Sequence, residues 1–598
     1  MQKLLSYVVP AALLWANPAA MPPSHAAEPA PRADSARIDM RWGVKIPMSD
    51  GVSLNATLYL PKQQAGPAPC IFTLTPYISQ RYHGEGTYFA ANGLPFLTID
   101  VRGRGNSEGA FRPFDQDATD GPQIVEWLAK QPYCNGKVTM WGGSYAGFNQ
   151  WQTAKELPPH LATIVPVASP HIGVDVPARN NIFFPYMMQW LNLTEGRAAQ
   201  DKFFADSAYW SALWRDHFEK GAAFKDIEHA FGGEQKQMRE WLAHPQIGAW
   251  QDSLTPTREQ YRAMRIPILT ITGSYDADQP GALAYYRDYM RAASREQQGR
   301  HYLIIGPWDH SGTRGPEAEF GGLKFGPASL VDVRKLHVDW YRWTMSGGPK
   351  PEFLKDRVAY YVMGAEKWRY APTLEAVTTR TQPFYLDSPN GATQVMASGS
   401  LSDTAPGKGA PDSYVYDPRD TSSAALEEQV DWAGGSYTDQ RLVLAGDGKQ
   451  FVYHTPAFAA DTEISGFFRL AAWIGIDQPD TDFNVTVYEL TGDGQSIWLS
   501  DDVMRARYRE GLRSAKLIAT KDPLLYDFKS FTFTSRIVAK GSRLRLVIKP
   551  INSINSEKNY NSGGVVADET MRDARSVTVR LYHDKVHPSA LYIPYGQP

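Results

Sequence analysis

The run Gly142-Gly143-Ser144-Tyr145-Ala146-Gly147 follows the apolar stretch Val138 to Met140 and leads into helical sequence from Asn149 to Glu156. A serine on a sharp strand-to-helix turn needs small residues two positions to either side, because the backbone there is strained and crowded. Gly142 and Ala146 supply them, which makes Ser144 the candidate nucleophile. The same turn offers the backbone N–H of Tyr145 at a helix start, where it can stabilise a developing oxyanion.

A serine hydroxyl needs a general base, and the base needs an acid to orient it. Where such a triad is built on a doubly wound sheet, the chain order is serine, acid, histidine, the last two in loops that follow later strands. Asp276 lies in Gly273 to Gln279, after the strand-like Ile266 to Thr272, and His310 lies in Gly306 to Gly312, after His301 to Ile305. Asp276 and His310 thus have the required placement. Asp278 is a rival orienting acid. Asp309 adjoins His310, but a sequence neighbour rarely faces the same ring. His171 is a rival base, yet it precedes the acid in the chain.

These groups need a frame. Val44 to Pro47 and Leu54 to Leu60 flank Ser49-Asp50-Gly51, which predicts a hairpin. Cys70 to Leu74, Pro95 to Val101 and Lys137 to Met140 read as parallel strands, with a helix bearing Ile124, Val125, Trp127 and Leu128 between the last two. Strands alternating with helices predict a doubly wound α/β sheet. From Pro177 to Arg265 the sequence turns rich in Trp, Phe and Met at helical spacing and reads as a helical insertion. After about Gly348 short alternating runs dominate, including Val358 to Val362, Arg441 to Leu444 and Phe531 to Phe533, which predicts an antiparallel β-sandwich.

Other chemistries are poorly served. Asp100 to Gly109 looks superficially like a dinucleotide loop, but it lacks the third glycine at the right offset and no helix starts at once. It reads as a structural loop, and no cofactor is implied. No compact His/Glu spacing suggests a metal. With 61 Lys and Arg against 64 Asp and Glu among 598 residues, there is no basic surplus for a nucleic-acid backbone. Hydrophobic residues at 43% and charged residues at 21% give a foldable chain long enough for several cores.

Met1 to Ala26 has a basic start, an apolar run from Leu4 to Trp15 and a small-residue end, as in a secretory signal peptide. The run falls short of the roughly 20 apolar residues of a membrane span. The expected product is exported, periplasmic or secreted, with no stable membrane insertion. The expected organisation is signal peptide 1–26, linker 27–36, α/β core 37–176, helical cap 177–265, core again 266–348 and a β-sandwich 349–598.

Taken together, Thr75-Pro76-Tyr77, Asp100 to Gly109, Glu126-Trp127-Leu128, Asn135 to Val138, the elbow around Ser144, Tyr275-Asp276 and Gly306-Pro307-Trp308-Asp309-His310 resemble the cocaine-esterase-like branch of the α/β-hydrolases. That branch includes X-prolyl dipeptidyl-peptidases, α-amino-acid ester hydrolases and glutaryl acylases. The resemblance covers nearly the whole chain after the signal. It implies an α/β-hydrolase core with a helical cap and a C-terminal jelly roll, and Ser144, Asp276 and His310 as the triad. It also implies that the Tyr77 hydroxyl joins the Tyr145 N–H in the oxyanion hole. The amino-ester hydrolases carry paired acids just after the catalytic Asp to hold a free amine, whereas here Asp278 is followed by Gln279. Asp278 alone is left as a candidate amine contact, with Asp175 at the cap entrance as a further acid. The X-prolyl relatives usually have an extra N-terminal helical domain, whereas here only a short linker separates the expected signal from the first strands, which weighs against that peptidase activity. Cys70 and Cys134 begin the strands that carry Tyr77 and Ser144, neighbours in such a sheet, so an oxidising compartment would allow a bridge.

The expected function is an exported serine hydrolase that cleaves a small ester, amide or peptide substrate through an acyl-enzyme. The alternatives are an X-prolyl dipeptidyl-peptidase or α-amino-acid ester hydrolase and, outside enzymes, a surface- or carbohydrate-binding protein with an inert core. Assembly into a homo-oligomer stays open.

Overall fold

The computed structural model describes residues 37–597, except 232, 234, 390 and 431–435. The signal and linker expected over 1–36 lie outside the described residues. The hairpin forms as Ile38–Pro47 paired antiparallel with Ser53–Pro61. It edges a sheet that continues through Phe96–Asp100, Ala68–Thr75, Cys134–Met140 and Leu161–Thr163. The last four strands run parallel, and the nearly unbroken apolar runs of Ala68–Thr75 and Phe96–Asp100 are buried along almost their whole length, as strands covered by helices on both faces must be. A second set runs from Pro166–Val167 through Ile268–Tyr275, His301–Asp309 and Val358–Val362 to Lys367–Ala371. A parallel bridge between Ile164 and Ile268 joins the two sets edge to edge.

Three expected sandwich strands are corrected here. Val358–Val362 is no sandwich strand: it pairs parallel with His301–Asp309 and closes the α/β sheet together with Lys367–Ala371. All five of its residues are buried, and a short apolar run of that kind carries no alternation to tell a parallel core strand from a sandwich strand. The core thus extends past residue 348, and the C-terminal strands begin at Arg380. Arg441–Ala445 is a short helix rather than a strand, and Phe531 to Phe533 precede the strand Thr534–Val538 instead of forming one.

Between Pro166–Val167 and Ile268–Tyr275 the chain inserts a cap made of a small hairpin and a series of helices. Its longest helix, Ser207–Lys220, shows why the sequence folds this way. The Asp206 carboxylate accepts the Tyr209 N–H, Gly221 closes the helix in the left-handed conformation, and Trp210, Trp214 and Phe218 fall on one buried face at four-residue spacing. The C-terminal region is a mostly antiparallel, 13-stranded β domain around its own apolar core. None of the helices among the described residues is long and apolar enough to cross a membrane.

Candidate active site

Ser144 sits at φ 61° and ψ −127°, a conformation that a side chain adopts only under constraint. The constraint is visible on both sides. A Cβ on Gly142 would meet the Ala146 Cβ at 2.5 Å, and one on Gly147 would meet the Val167 carbonyl oxygen at 2.6 Å. The Ser144 N–H lies 3.0 Å from the Val167 carbonyl and 3.1 Å from that of Ala168, pinning the turn to the neighbouring strand end. The helix that follows, Tyr145–Lys155, is buried on every side, and its polar residues have structural work. The Gln150 amide donates to the carbonyls of Gly142 and Val165 and accepts the Val165 N–H, while Asn149 donates to the Leu74 carbonyl.

The Tyr145 side chain is locked away from the site. Its hydroxyl donates to Asp117 Oδ2 at 2.6 Å and accepts the Phe114 N–H at 3.1 Å. Only its backbone N–H, at a first helical turn with no helical carbonyl to take it, is placed for an oxyanion. The second donor comes from the end of Ala68–Thr75. The Tyr77 hydroxyl lies 3.5 Å from Ser144 Oγ and accepts the Trp190 indole N–H at 3.1 Å. Burial pushes the phenol above its usual range, so it keeps its proton.

Asp276 and His310 meet as the sequence suggests. His310 Nδ1 lies 2.8 Å from Asp276 Oδ1, so the ring carries its proton there. The Asp276 side chain is fully buried and further held by the Thr272 hydroxyl at 2.8 Å and the Asp278 N–H at 3.0 Å. Asp278 Oδ2 is farther from the same nitrogen, at 3.6 Å, which favours Asp276 as the orienting acid. Asp309 caps its own turn by accepting the Gly312 N–H. His171 is buried, donates to the Ile172 carbonyl and packs on Tyr285 with ring centres 4.4 Å apart. Burial lowers its pKa, and it serves the core.

Ser144, Tyr77, Asp278 and His310 all face one cavity of about 260 Å³. The remaining wall is mainly apolar and comes from three parts of the chain: Phe114 from the core, Tyr186 and Trp190 from the cap, and Tyr437 from beyond residue 380. Asp278 is the acid on this wall whose carboxyl accepts no hydrogen bond among the described residues, its nearest cationic partner being the His310 ring at 3.6 Å. Burial and the neighbouring carboxyls of Asp175 and Asp276 hold its pKa well above the usual range. Asp175 is spent elsewhere: its two oxygens accept the N–H groups of His171 and Gly281 at 2.8 and 2.6 Å. Gln279, fully buried, donates to the carbonyls of Gly273, Ser274 and Phe533 and accepts the Phe533 N–H. A carboxylate, which only accepts, could not make those three donations. Asp276, Asp278 and His310 offer ligand atoms within 4.8 Å of one another, but their hydrogen bonds to each other and to Thr272 already account for that closeness.

Two contributions escape sequence reading. Asp100, whose carboxyl is raised to about 6 by burial, accepts the N–H and hydroxyl of Ser79 and so anchors the loop after Tyr77. Arg104, fully buried, donates to the carbonyl of Pro76 and to those of Leu193, Glu195, Gly196 and Ala198. One guanidinium thus ties the Tyr77 loop to the helix that carries Trp190. The Asp100 to Gly109 loop holds the Tyr77 loop in place from two sides. Cys70 and Cys134 are buried free thiols, and each donates to a backbone carbonyl, that of Ala68 and that of Lys137 respectively.

The doubly wound core, the strained elbow serine and the cap over an apolar cavity define an enzyme of the α/β-hydrolase type. Residues 50–312 match the X-Pro dipeptidyl-peptidase (S15 family) profile, and 354–591 match the X-Pro dipeptidyl-peptidase C-terminal non-catalytic domain. The chain is 26% identical over 581 residues to a cocaine esterase from Rhodococcus sp. (strain MB1 Bresler), covering 92% of this chain and 97% of that protein. It is 25% identical over 582 residues to a putative serine esterase of Mycobacterium tuberculosis (strain CDC 1551 / Oshkosh), covering 85% of this chain and 84% of that one. Among solved structures it superposes on an aminopeptidase from a marine sediment Thaumarchaeota archaeon with a TM-score of 0.80 at 22% identity, covering 95% of this chain and 98% of the other. An α-amino acid ester hydrolase gives 0.78 at 21%, with 96% and 99% covered. The chain belongs to the cocaine esterase and X-Pro dipeptidyl-peptidase-like family of serine hydrolases.

Proposed function

We propose that this enzyme is an exported esterase that cleaves carboxylic esters through an acyl-enzyme, with Ser144 as nucleophile, His310 as base and Asp276 as its orienting acid. The observation that carries this is the convergence of Ser144, the Asp276-held imidazole of His310 and the Tyr77 hydroxyl on one apolar cavity. Ser144 Oγ attacks the acyl carbon while His310 takes its proton through the ring nitrogen opposite Asp276. The tetrahedral oxyanion forms against the Tyr77 O–H and Tyr145 N–H. Collapse expels the alcohol with the proton from His310, and water repeats the sequence to release the acid. Export rests on the sequence of the first 26 residues.

The apolar wall favours simple acyl groups. A bound ammonium needs opposing carboxylates, because it loses hydration there. Asp175 and Gln279 are committed to backbone groups, and Asp278 is held toward its neutral form. The second reading, an aminopeptidase or α-amino-acid ester hydrolase, rests on that one carboxyl of Asp278. The test is labelling by a fluorophosphonate followed by a panel of p-nitrophenyl acyl esters, α-amino esters and Gly-Pro anilides. An adduct at Ser144, absent from Ser144→Ala, with acyl esters hydrolysed at least as well as α-amino esters, is expected. A folded protein that takes no label would overturn the mechanism, and preference for the anilide would make the enzyme a dipeptidyl-peptidase.

A further inference from the structure

Behind the catalytic elbow lies a second, smaller chamber of about 180 Å³. The loops that carry Tyr77, Ser144 and His310 also line it: Arg81 and Glu85 follow Tyr77, Gly142 precedes Ser144, and Arg314 follows His310. Three guanidinium groups, from Arg81, Arg314 and Arg334, face it with Glu85 as the carboxylate among its lining residues. Arg334 is paired with Glu85 at 2.8 Å, and Arg81 with Asp201. Arg314 is different. Its guanidinium has no ion pair or hydrogen bond among the described residues, and its Nη1 is buried without a partner against the elbow, 2.3 Å from where a Gly143 Cβ would stand. A buried guanidinium nitrogen without a partner is costly unless an anion or water meets it.

The floor carries a complementary group. His337 is 2% exposed, its Nδ1 lies 2.7 Å from the Val333 carbonyl and donates to it, and its Nε2 is buried with no partner. Burial lowers its pKa to about 4, so Nε2 presents a lone pair. The chamber is far larger than the ~10–15 Å³ that one bridging water requires. It therefore asks for a solute that accepts hydrogen bonds from a guanidinium fork and also donates one to an imidazole.

We propose that this chamber is a binding site for a protonated oxyanion, with hydrogenphosphate as its simplest form: the fork of Arg314 holds two of its oxygens and its O–H donates to His337 Nε2. The anion meets guanidinium donors that no described protein group accepts and ties together the loops of Tyr77, Ser144 and His310. Sulfate has the same shape and charge type but no proton at neutral pH, and it would set an oxygen against the His337 lone pair. The site therefore discriminates between the two anions, as sites built around one specific hydrogen bond do.

Calorimetric titration of the full-length enzyme with inorganic phosphate, sulfate and chloride at constant ionic strength tests this. One phosphate per chain, bound at least about tenfold more tightly than sulfate, is expected. His337→Phe should keep anion binding but lose the preference for phosphate. Arg314→Gln should weaken phosphate binding about tenfold or more. Absence of binding by the wild type would mean that the chamber holds only water. Equal affinity for phosphate and sulfate, or unaltered binding in a folded Arg314→Gln protein, would equally overturn the assignment. The wild-type comparison decides even where Arg314→Gln fails to fold.

Discussion

Tyr77→Phe separates two jobs of one hydroxyl. The oxygen accepts the Trp190 indole N–H at 3.1 Å and stands 3.5 Å from Ser144 Oγ, so its own proton points to where negative charge develops. With the Tyr145 N–H left as the remaining donor, losing one of two should lower kcat about 100-fold, or ~2.7 kcal/mol of transition-state stabilisation. KM should change little, because the donor acts chiefly on the oxyanion rather than on the ground-state carbonyl. The substitution also strands the buried Trp190 N–H, which should cost about 1–3 kcal/mol of stability. Trp190→Phe is the control: it removes the hydrogen bond that orients the hydroxyl but keeps the hydroxyl, so its kcat should fall by less than about tenfold. Steady-state kinetics on a p-nitrophenyl ester, with thermal unfolding of each variant, reads both effects. A Tyr77→Phe kcat within about threefold of wild type, or a rise in KM alone, would refute the oxyanion role.

His310→Ala should lose on the order of 10³-fold or more in kcat while His171→Ala stays within an order of magnitude, and the reverse pattern in the same ester assay would move the base to His171. Asp278→Asn should shift the ratio of α-amino ester to acyl ester turnover by less than about tenfold, since one carboxyl held toward its neutral form makes a poor ammonium site; collapse of a strong amine preference would refute this. Asp117, raised to about 7 by burial, titrates above its unfolded value. Its protonation therefore supports the fold fully below about pH 4, and that support is lost as pH climbs toward about 7, at up to ~1.4 kcal/mol per pH unit. Asp117→Asn should gain on wild type in urea unfolding as pH rises from about 4 to about 7 and then level off, and a parallel pH response of the two proteins would contradict the shift.

What the sequence reveals about the site is what local chemistry dictates. The elbow is readable because strand, glycines, serine and helix are contiguous, and Asp276 and His310 are readable because each ends a recognisable strand. Tyr77 is identified only through a family resemblance, since nothing local separates it from a core aromatic. Trp190, Tyr437 and Arg104 are not readable at all: Trp190 is 113 residues from the hydroxyl it serves, and Arg104 reaches carbonyls 89 to 94 residues away. The same limit explains the misread strands. Val358–Val362 has the composition of either sheet, and the partner that decides it lies in His301–Asp309. Arg441–Ala445 alternates like a strand but folds as a single helical turn, because five residues are too few for periodicity to distinguish the two.

Substrate choice is hard to read for a related reason, and the C-terminal domain is central to it. Tyr437 stacks against Tyr275, beside the Asp276 loop, with ring centres 4.4 Å apart, and Trp498 packs on both rings. Gln279 bonds both the N–H and the carbonyl of Phe533, and Arg179 of the cap hairpin grips Asp501 through both carboxylate oxygens at 2.9 and 3.0 Å. The β domain therefore supplies one wall of the cavity and clamps both the Asp276 loop and the cap that form the others. In this chain the candidate catalytic groups all come from the core, whereas the shape of the cavity depends on how core, cap and β domain meet over it.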